Sequence, residues 1–137
     1  MTVPPAPQSD DATHPPAADI DAARAMGPAI DLAHLARQTF DDPALQEELL
    51  GLFDDQSARL LSRTSAEDAP RLQAVADVHM LRGSALAVGA WRVAAAAQAL
   101  EVAFERENSE KPEIAAALAA LAAAVAEARA AIARRPR

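Results

Sequence analysis

The chain has 137 residues and a formal net charge of −7, and 51% of its residues are hydrophobic although only 3% are aromatic. This length suits one domain, and a core of Leu, Val, Ile and Ala suits packed helices better than a β-sheet. The negative charge argues against binding to nucleic acid and to anionic membrane surfaces, which both need a basic footprint. Because there is no cysteine, disulfides, thiolate metal sites and cysteine nucleophiles are excluded.

Targeting and membrane signals are not evident in the sequence. The first residues, MTVPP, have neither the basic nor the apolar region of a secretory signal. The longest apolar run, residues 114–126, is shorter than a membrane span and consists mostly of alanine. We therefore expect a soluble, cytoplasmic protein that does not enter a membrane.

Residues 1–28 have the composition of a disordered N-terminal tail. Six of the ten prolines lie there among Ala, Asp, Thr and Ser, and such a segment cannot bury enough apolar surface to offset the ordering of its backbone. A short helix over residues 19–26, stopped by Gly27 and Pro28, would be marginal by itself. We place the folded domain at residues 29–137.

From residue 30 onward the hydrophobic pattern is helical. A short segment over residues 32–40 is followed by Asp42 and Pro43, a good helix start, and by apolar residues that recur to about residue 64. The next helix begins at Pro70 and is ended by Gly89; residues 90–107 form another, and Pro112 opens the last one. The helix before Gly89 has apolar positions that recur every three or four residues and are predicted to face inward: Leu72, Val75, Val78, Leu81, Ala85 and Val88.

The predicted fold class is all-α. No segment alternates in the manner of a strand, and four long helices joined by short loops favour antiparallel neighbours. The sequence therefore predicts an up-down-up-down four-helix bundle with a short extra helix at its N-terminal end. The last helix has a near-heptad apolar line, which we interpret as packing within the bundle of a monomeric protein.

Of the three histidines, His79 has the neighbours that suggest chemistry. His14 lies in the tail and His34 on the short first helix, with no Glu or His at metal-ligand spacing. Both are expected to be ordinary surface residues. No metal site and no cofactor is predicted.

The face of the helix around His79 carries a combination suited to phosphoryl transfer. His79 lies about 100° round the helix from Val78, at the edge of the inward stripe, and shares its face with Arg82 and Gly83. A neutral imidazole can attack phosphorus, and a guanidinium can neutralise phosphoryl oxygens. Glycine inside a helix costs about 1 kcal/mol relative to alanine, so its presence needs a reason, such as room for a partner to approach. The residues alone leave open that His79 and Arg82 are merely solvated and that Gly83 serves close helix packing.

Residues 79–90, HMLRGSALAVGA, resemble the signature of histidine phosphotransfer (HPt) domains. The family pattern is His, any residue, Leu, Lys or Arg, Gly, Ser or Ala, a small residue, and a second Gly that ends the helix. Every position is matched, with Arg82 where lysine is commoner. The family tends to carry Gln or Glu on the next helix, where this chain has Gln98 and Glu101. The resemblance covers residues 30–107 and, more loosely, the last helix.

The resemblance implies a bundle that shuttles a phosphoryl group between the aspartates of receiver domains in a phosphorelay. It implies that His79 is the phosphorylated nucleophile, that Arg82 steadies the phosphoryl oxygens and that Gly83 clears the approach. Gln98 or Glu101 would orient the ring. The family has no machinery for ATP, and this chain has no Gly-rich phosphate loop, so we expect a phosphoryl carrier and not an enzyme.

Receiver domains of response regulators or hybrid kinases are therefore the expected partners. They would dock around Ala76, His79, Gly83 and Leu86, with help from the helix that starts after Asp42. One alternative is a helical adaptor that binds a receiver or kinase without carrying phosphate. Another is a kinase fragment, or a bundle with a metal or cofactor site, although the Glu-x-x-His motif of a di-metal bundle does not occur.

Overall fold

The fold is that of a computed structural model, which describes residues 20–106 and 111–135. These residues contain helices and no strand, so the predicted all-α class is confirmed for them. In chain order the helices are α1 (Ile20–Met26), α2 (Leu32–Gln38), α3 (Pro43–Ser65), α4 (Arg71–Val88), α5 (Trp91–Glu105) and α6 (Lys111–Arg134). Residues 1–19, the larger part of the tail predicted to be disordered, lie outside the described residues. A polar turn is expected from the sequence at residues 108–111; residues 108–110 also lie outside the described residues, whereas Lys111 already belongs to α6.

The helix start predicted at Asp42 and the helix end predicted at Gly89 are both present. One carboxylate oxygen of Asp42 accepts the backbone N–H groups of Ala44 at 3.0 Å and Leu45 at 3.2 Å, and Pro43 occupies the first turn, where an N–H has no partner within the helix. Gly89 ends α4 with a φ of 79°, in the left-handed region that glycine adopts without a steric penalty. The chain therefore reverses within two residues before α5 begins.

The four long helices, α3 to α6, enclose the core. Each packs against the next in the chain, and α3 also packs against α6. The largest completely buried side chains on these helices are aliphatic: Leu50, Val78, Leu81, Val93, Leu100, Leu121 and Val125. Alanines fill the narrower spaces between them, as the composition predicts.

The inward line of α4 differs from the prediction at its first turn. Leu72 is 85% exposed, whereas Ala74 is buried. Two residues along a helix are separated by about 200°, so Leu72 points outward once Ala74 faces the core. Asp77 is buried instead, and its carboxylate accepts hydrogen bonds from Arg63 of α3 at 2.7 Å and from Gln73 at 2.9 Å. These partners offset the cost of burying a charge.

The last helix, α6, has two dissimilar sides. The near-heptad line predicted to pack inward does so through Leu121, Val125, Ala128 and Ile132, all of which are buried. The opposite side is exposed and consists mostly of alanine. By length and composition alone, Pro112–Arg134 would suffice to cross a membrane, although one of its sides belongs to the core.

The segment before α2 folds onto the corner between α4 and α5. Helix α1 packs against α5, where the guanidinium of Arg24 lies 4.4 Å from the ring centroid of Trp91. Residues 21–25 have φ between 49 and 56°, so this segment winds in the left-handed sense. Asp31 follows and accepts hydrogen bonds from the indole N–H of Trp91 and from the backbone N–H of His34, both at 3.0 Å. Residues 20–28 were predicted as part of the tail. Within them, α1 packs against α5.

Substitution of Gly89 should destabilise the fold. A Cβ at Gly89 would lie 2.9 Å from both the Cβ and the carbonyl oxygen of Asp31, and the left-handed conformation by itself costs an L-residue about 1–2 kcal/mol. We expect Gly89→Ala to lower the free energy of unfolding by about 2 kcal/mol or more, measured by urea denaturation. Gly51→Ala is the matched control, because a Cβ there meets no atom within 4 Å and should stabilise α3 by about 0.5–1 kcal/mol. Equal stabilities of the two variants would contradict the close approach of Gly89 to Asp31.

The Asp31 carboxylate should make stability fall in acid. Hydrogen bonds from the His34 backbone N–H and the Trp91 indole, together with the charge of Arg24, hold the pKa of Asp31 below its usual value of 3.8. Because the pKa is lower in the folded state, this stabilisation is complete above the unfolded-state pKa and is lost as the pH falls through the folded-state pKa. Asp31→Asn should therefore lose stability at neutral pH, and its difference from the wild type should shrink below about pH 4. A difference that stays constant across a denaturation series from neutral pH into that acid range would contradict this role.

Candidate functional site

His79 lies near the middle of α4 on the side away from the core. Val78 before it is buried, whereas the side chain of His79 is 65% exposed. Ala76 and Gly83, one turn to either side, and Leu86, two turns onward, are exposed as well. These four residues, Ala76, His79, Gly83 and Leu86, form one continuous row, which we call the His79 face. The residues predicted to dock a partner thus share one exposed surface.

A carboxylate from α5 holds the ring of His79. The side chain of Glu101 is only 15% exposed, and its Oε2 lies 2.9 Å from Nδ1 of His79. Nε of Arg82 lies 3.1 Å from the second carboxylate oxygen, Oε1, and Nη2 of Arg82 lies 3.3 Å from Nδ1. Three side chains from two helices therefore form a closed triangle, the His79–Arg82–Glu101 cluster.

The contacts at Nδ1 determine which ring nitrogen is available for reaction. A carboxylate can only accept, so the Glu101 contact requires a proton on Nδ1, whereas a guanidinium can only donate and would require a lone pair there. The two hydrogen bonds exclude each other. The Glu101 contact is the shorter of the two, at 2.9 Å against 3.3 Å, so we assign the proton to Nδ1. On the neutral ring this leaves the lone pair on Nε2, which accepts no hydrogen bond from the described residues.

The tight reversal at Gly89 brings Glu101 opposite His79. His79 precedes Gly89 by ten residues and Glu101 follows it by twelve, so the two lie at similar heights on antiparallel neighbours that rise equally per residue. Ala97 and Leu100 of α5 are buried in the core. Glu101 is therefore left at the border of the buried side, facing the seam with α4.

The two remaining predicted residues, Gln98 and Gly83, have different surroundings. Gln98 lies one turn before Glu101 and lines the same shallow depression as His79, without taking part in the three contacts of the cluster. Gly83 is exposed, and a Cβ placed on it would meet no atom within 4 Å. Close packing between the described helices thus does not explain this glycine. Its open side leaves the space above the helix free.

Two features beside the cluster were not predicted from the sequence. Glu105, one turn beyond Glu101, lines the same depression. A groove between α3 and α4 runs beside the His79 face, and its lining includes Leu49, Leu52, Phe53, Arg59, Ser84 and Ala87. The sequence feature that could have indicated the groove is the broad apolar face of α3. The core covers only part of that face, since Phe53 is buried whereas Leu52 is exposed.

The other described histidine, His34, has a structural environment. Its Nε2 lies 3.0 Å from the carbonyl oxygen of Leu86, and its ring packs edge-on against Trp91 with centroids 4.7 Å apart. These contacts hold α2 against the end of α4. Within residues 20–106 and 111–135, no group of three or more His, Asp or Glu side chains could hold a metal ion. His14 lies outside these ranges.

Comparisons with protein-family models, with curated proteins and with solved structures gave no match to this chain. The sequence pattern around His79 and the geometry of the His79–Arg82–Glu101 cluster are the features of this chain that bear on function.

Proposed function

We propose that this chain is a histidine phosphotransfer protein, which carries a phosphoryl group on His79 between the aspartates of receiver domains. The observation that supports this best is the contact between Nδ1 of His79 and Glu101, which leaves Nε2 of an exposed ring as the nucleophile. The motif shared with the HPt family supports it independently. In this proposal α3 to α6 are the up-down-up-down four-helix bundle and α2 is the short extra helix.

The transfer to His79 begins with the lone pair of Nε2. Nε2 attacks the phosphorus of an aspartyl phosphate, the N–P bond forms, and the P–O bond to the donor breaks with its electron pair remaining on the aspartate oxygen. The guanidinium of Arg82 lies within reach of both Glu101 and the ring, so it can turn to pair with the phosphoryl oxygens. Because the donor supplies an activated phosphoryl group, the carrier needs no site for ATP and is not itself an enzyme.

The partner must bring its phosphorylated aspartate in line with Nε2. Transfer depends on such alignment, and the open side of Gly83 leaves room for the loops that surround the aspartate. Leu86 on the His79 face and the groove beside Leu52 offer apolar surface for the partner. A carrier that must release each partner in turn is expected to use a small, transient interface.

His79→Gln should abolish acceptance of the phosphoryl group. After mixing with a radiolabelled phosphorylated receiver domain, we expect acid-labile label on the wild type and none on the variant. His34→Gln is the matched control, since it removes an imidazole that contacts the carbonyl oxygen of Leu86 and lies outside the cluster, and it should retain the label. Equal label on the wild type and on His79→Gln would overturn the proposal. Binding without any label on either protein would instead favour the adaptor.

Substitutions at Gly83 should separate folding from partner access. A Cβ meets no atom there, so Gly83→Ala should raise the free energy of unfolding by about 1 kcal/mol, and Gly83→Leu should also fold. The leucine side chain would obstruct the approach to Nε2, and we expect transfer from a receiver to slow about tenfold or more. Phosphorylation by phosphoramidate, a small donor, should continue and serves as the control. Transfer from the receiver at the wild-type rate would show that the partner does not approach across Gly83.

A further inference from the structure

We propose that Glu101 makes the phosphorylated form of His79 short-lived and ready to transfer, because its carboxylate keeps a proton on Nδ1 while Nε2 carries the phosphoryl group. This inference rests on the proposed function and concerns the regulation of the same site. Glu101 is a positioning residue in it, since the carboxylate contacts the ring and not the phosphorus.

The position of the Glu101 carboxylate is the first step of the argument. Oε2 lies 2.9 Å from Nδ1 of His79, and the mostly buried side chain is screened by solvent less than an exposed one would be. Nδ1 and Nε2 lie at different edges of the imidazole ring. A group attached to Nε2 therefore leaves the contact at Nδ1 in place.

The bonding changes show why the proton on Nδ1 matters. When Nε2 attacks phosphorus, the ring keeps its Nδ1 proton and becomes positively charged. In the onward transfer an acceptor aspartate oxygen attacks phosphorus, the N–P bond breaks, and its electron pair returns to Nε2, so the leaving group is neutral imidazole. Without the Nδ1 proton the leaving group would be an imidazolide anion, which is far poorer. A carboxylate hydrogen-bonded to Nδ1–H stabilises the positive ring, as it does in acid–histidine pairs of hydrolases.

The charges around the ring favour its positively charged form, with the proton on Nδ1, once Arg82 moves away. In the unphosphorylated protein Arg82 opposes a positive ring from 3.3 Å but is paired with Oε1 of Glu101 at 3.1 Å. Glu105 of α5 lines the same depression, but no hydrogen bond or ion pair joins it to His79. If Arg82 turns toward the phosphoryl oxygens, the Glu101 carboxylate loses its ion pair with Arg82 and interacts with the His79 ring alone. Binding of the phosphoryl group by Arg82 and stabilisation of the reactive ring then occur together.

The decay of phosphorylated His79 tests this inference. The full chain would be phosphorylated with phosphoramidate and freed of the donor, and the loss of phosphohistidine would be followed by phosphorus NMR over a range of pH. In Glu101→Gln the amide oxygen can still accept from Nδ1–H but carries no charge. We expect the variant to lose its phosphoryl group about tenfold more slowly at neutral pH, because an amide stabilises the positively charged ring less than a carboxylate does. Glu105→Gln is the matched control, since it removes the same charge from the same depression without touching His79, and should decay nearly as the wild type does.

A second measurement separates the inference from the proposed function. Long-range proton–nitrogen NMR of the unphosphorylated protein reports the tautomer, and we expect Nδ1–H in the wild type and a mixture in Glu101→Gln. Equal decay of the wild type and Glu101→Gln would overturn the inference while leaving the carrier function intact. A wild type that shows Nδ1–H yet accepts no phosphoryl group from phosphoramidate or from receivers would overturn both.

Discussion

The close approach of Gly89 to Asp31 is the constraint on which much of this structure depends. The left-handed backbone of Gly89 reverses the chain between α4 and α5, and its carbonyl oxygen accepts the N–H of Asp31 at 3.0 Å. The reversal sets the height of α5 against α4, and so brings Glu101 opposite His79. The contact with Asp31 also fixes the segment before α2, whose carboxylate reaches the indole of Trp91. One residue without a side chain thus joins the N-terminal segment and the candidate site to the same corner.

The candidate site is placed on rigid elements and not on a loop. Val78 and Leu81 anchor α4 in the core on either side of His79, and Leu100 anchors α5 beside Glu101. Side chains on packed helices keep their geometry more closely than side chains on loops, which in-line transfer requires. The His79 ring remains exposed while the group that holds it is mostly buried. The ring is therefore open to solvent, whereas its orientation is held from the buried side.

Charged pairs between neighbouring helices favour the observed position of each helix along its neighbours. Arg63 of α3 binds the buried Asp77 of α4, which leaves one oxygen of that carboxylate, Oδ2, without a hydrogen bond among the described residues. Arg92–Glu127 joins α5 to α6 and Arg129–Asp54 joins α3 to α6, whereas Arg135, directly after α6, pairs with Glu47 of α3. Exposed pairs add little stability. Their consistent pairing across adjacent helices nevertheless disfavours shifts of one helix along another.

The sequence by itself determined the local features of this protein. Capping at Asp42, the left-handed end at Gly89 and the helical periods follow from interactions within a few residues, and the shared face of His79, Arg82 and Gly83 follows from helix geometry alone. Such features do not depend on which helices become neighbours. They were predictable for that reason.

The tertiary structure decided which side chains of different helices come into contact. Gln98 and Glu101 were equal candidates in the sequence, and only the register between α4 and α5 gives Glu101 the contact with Nδ1. The exposure of Leu72 and the burial of Asp77 depend in the same way on where α4 meets its neighbours. Periodicity defines a face of a helix to within a residue or two, whereas hydrogen bonds are made at about 3 Å. Which nitrogen of the His79 ring contacts Glu101, and which is left open, is therefore a property of helix packing and not of the motif.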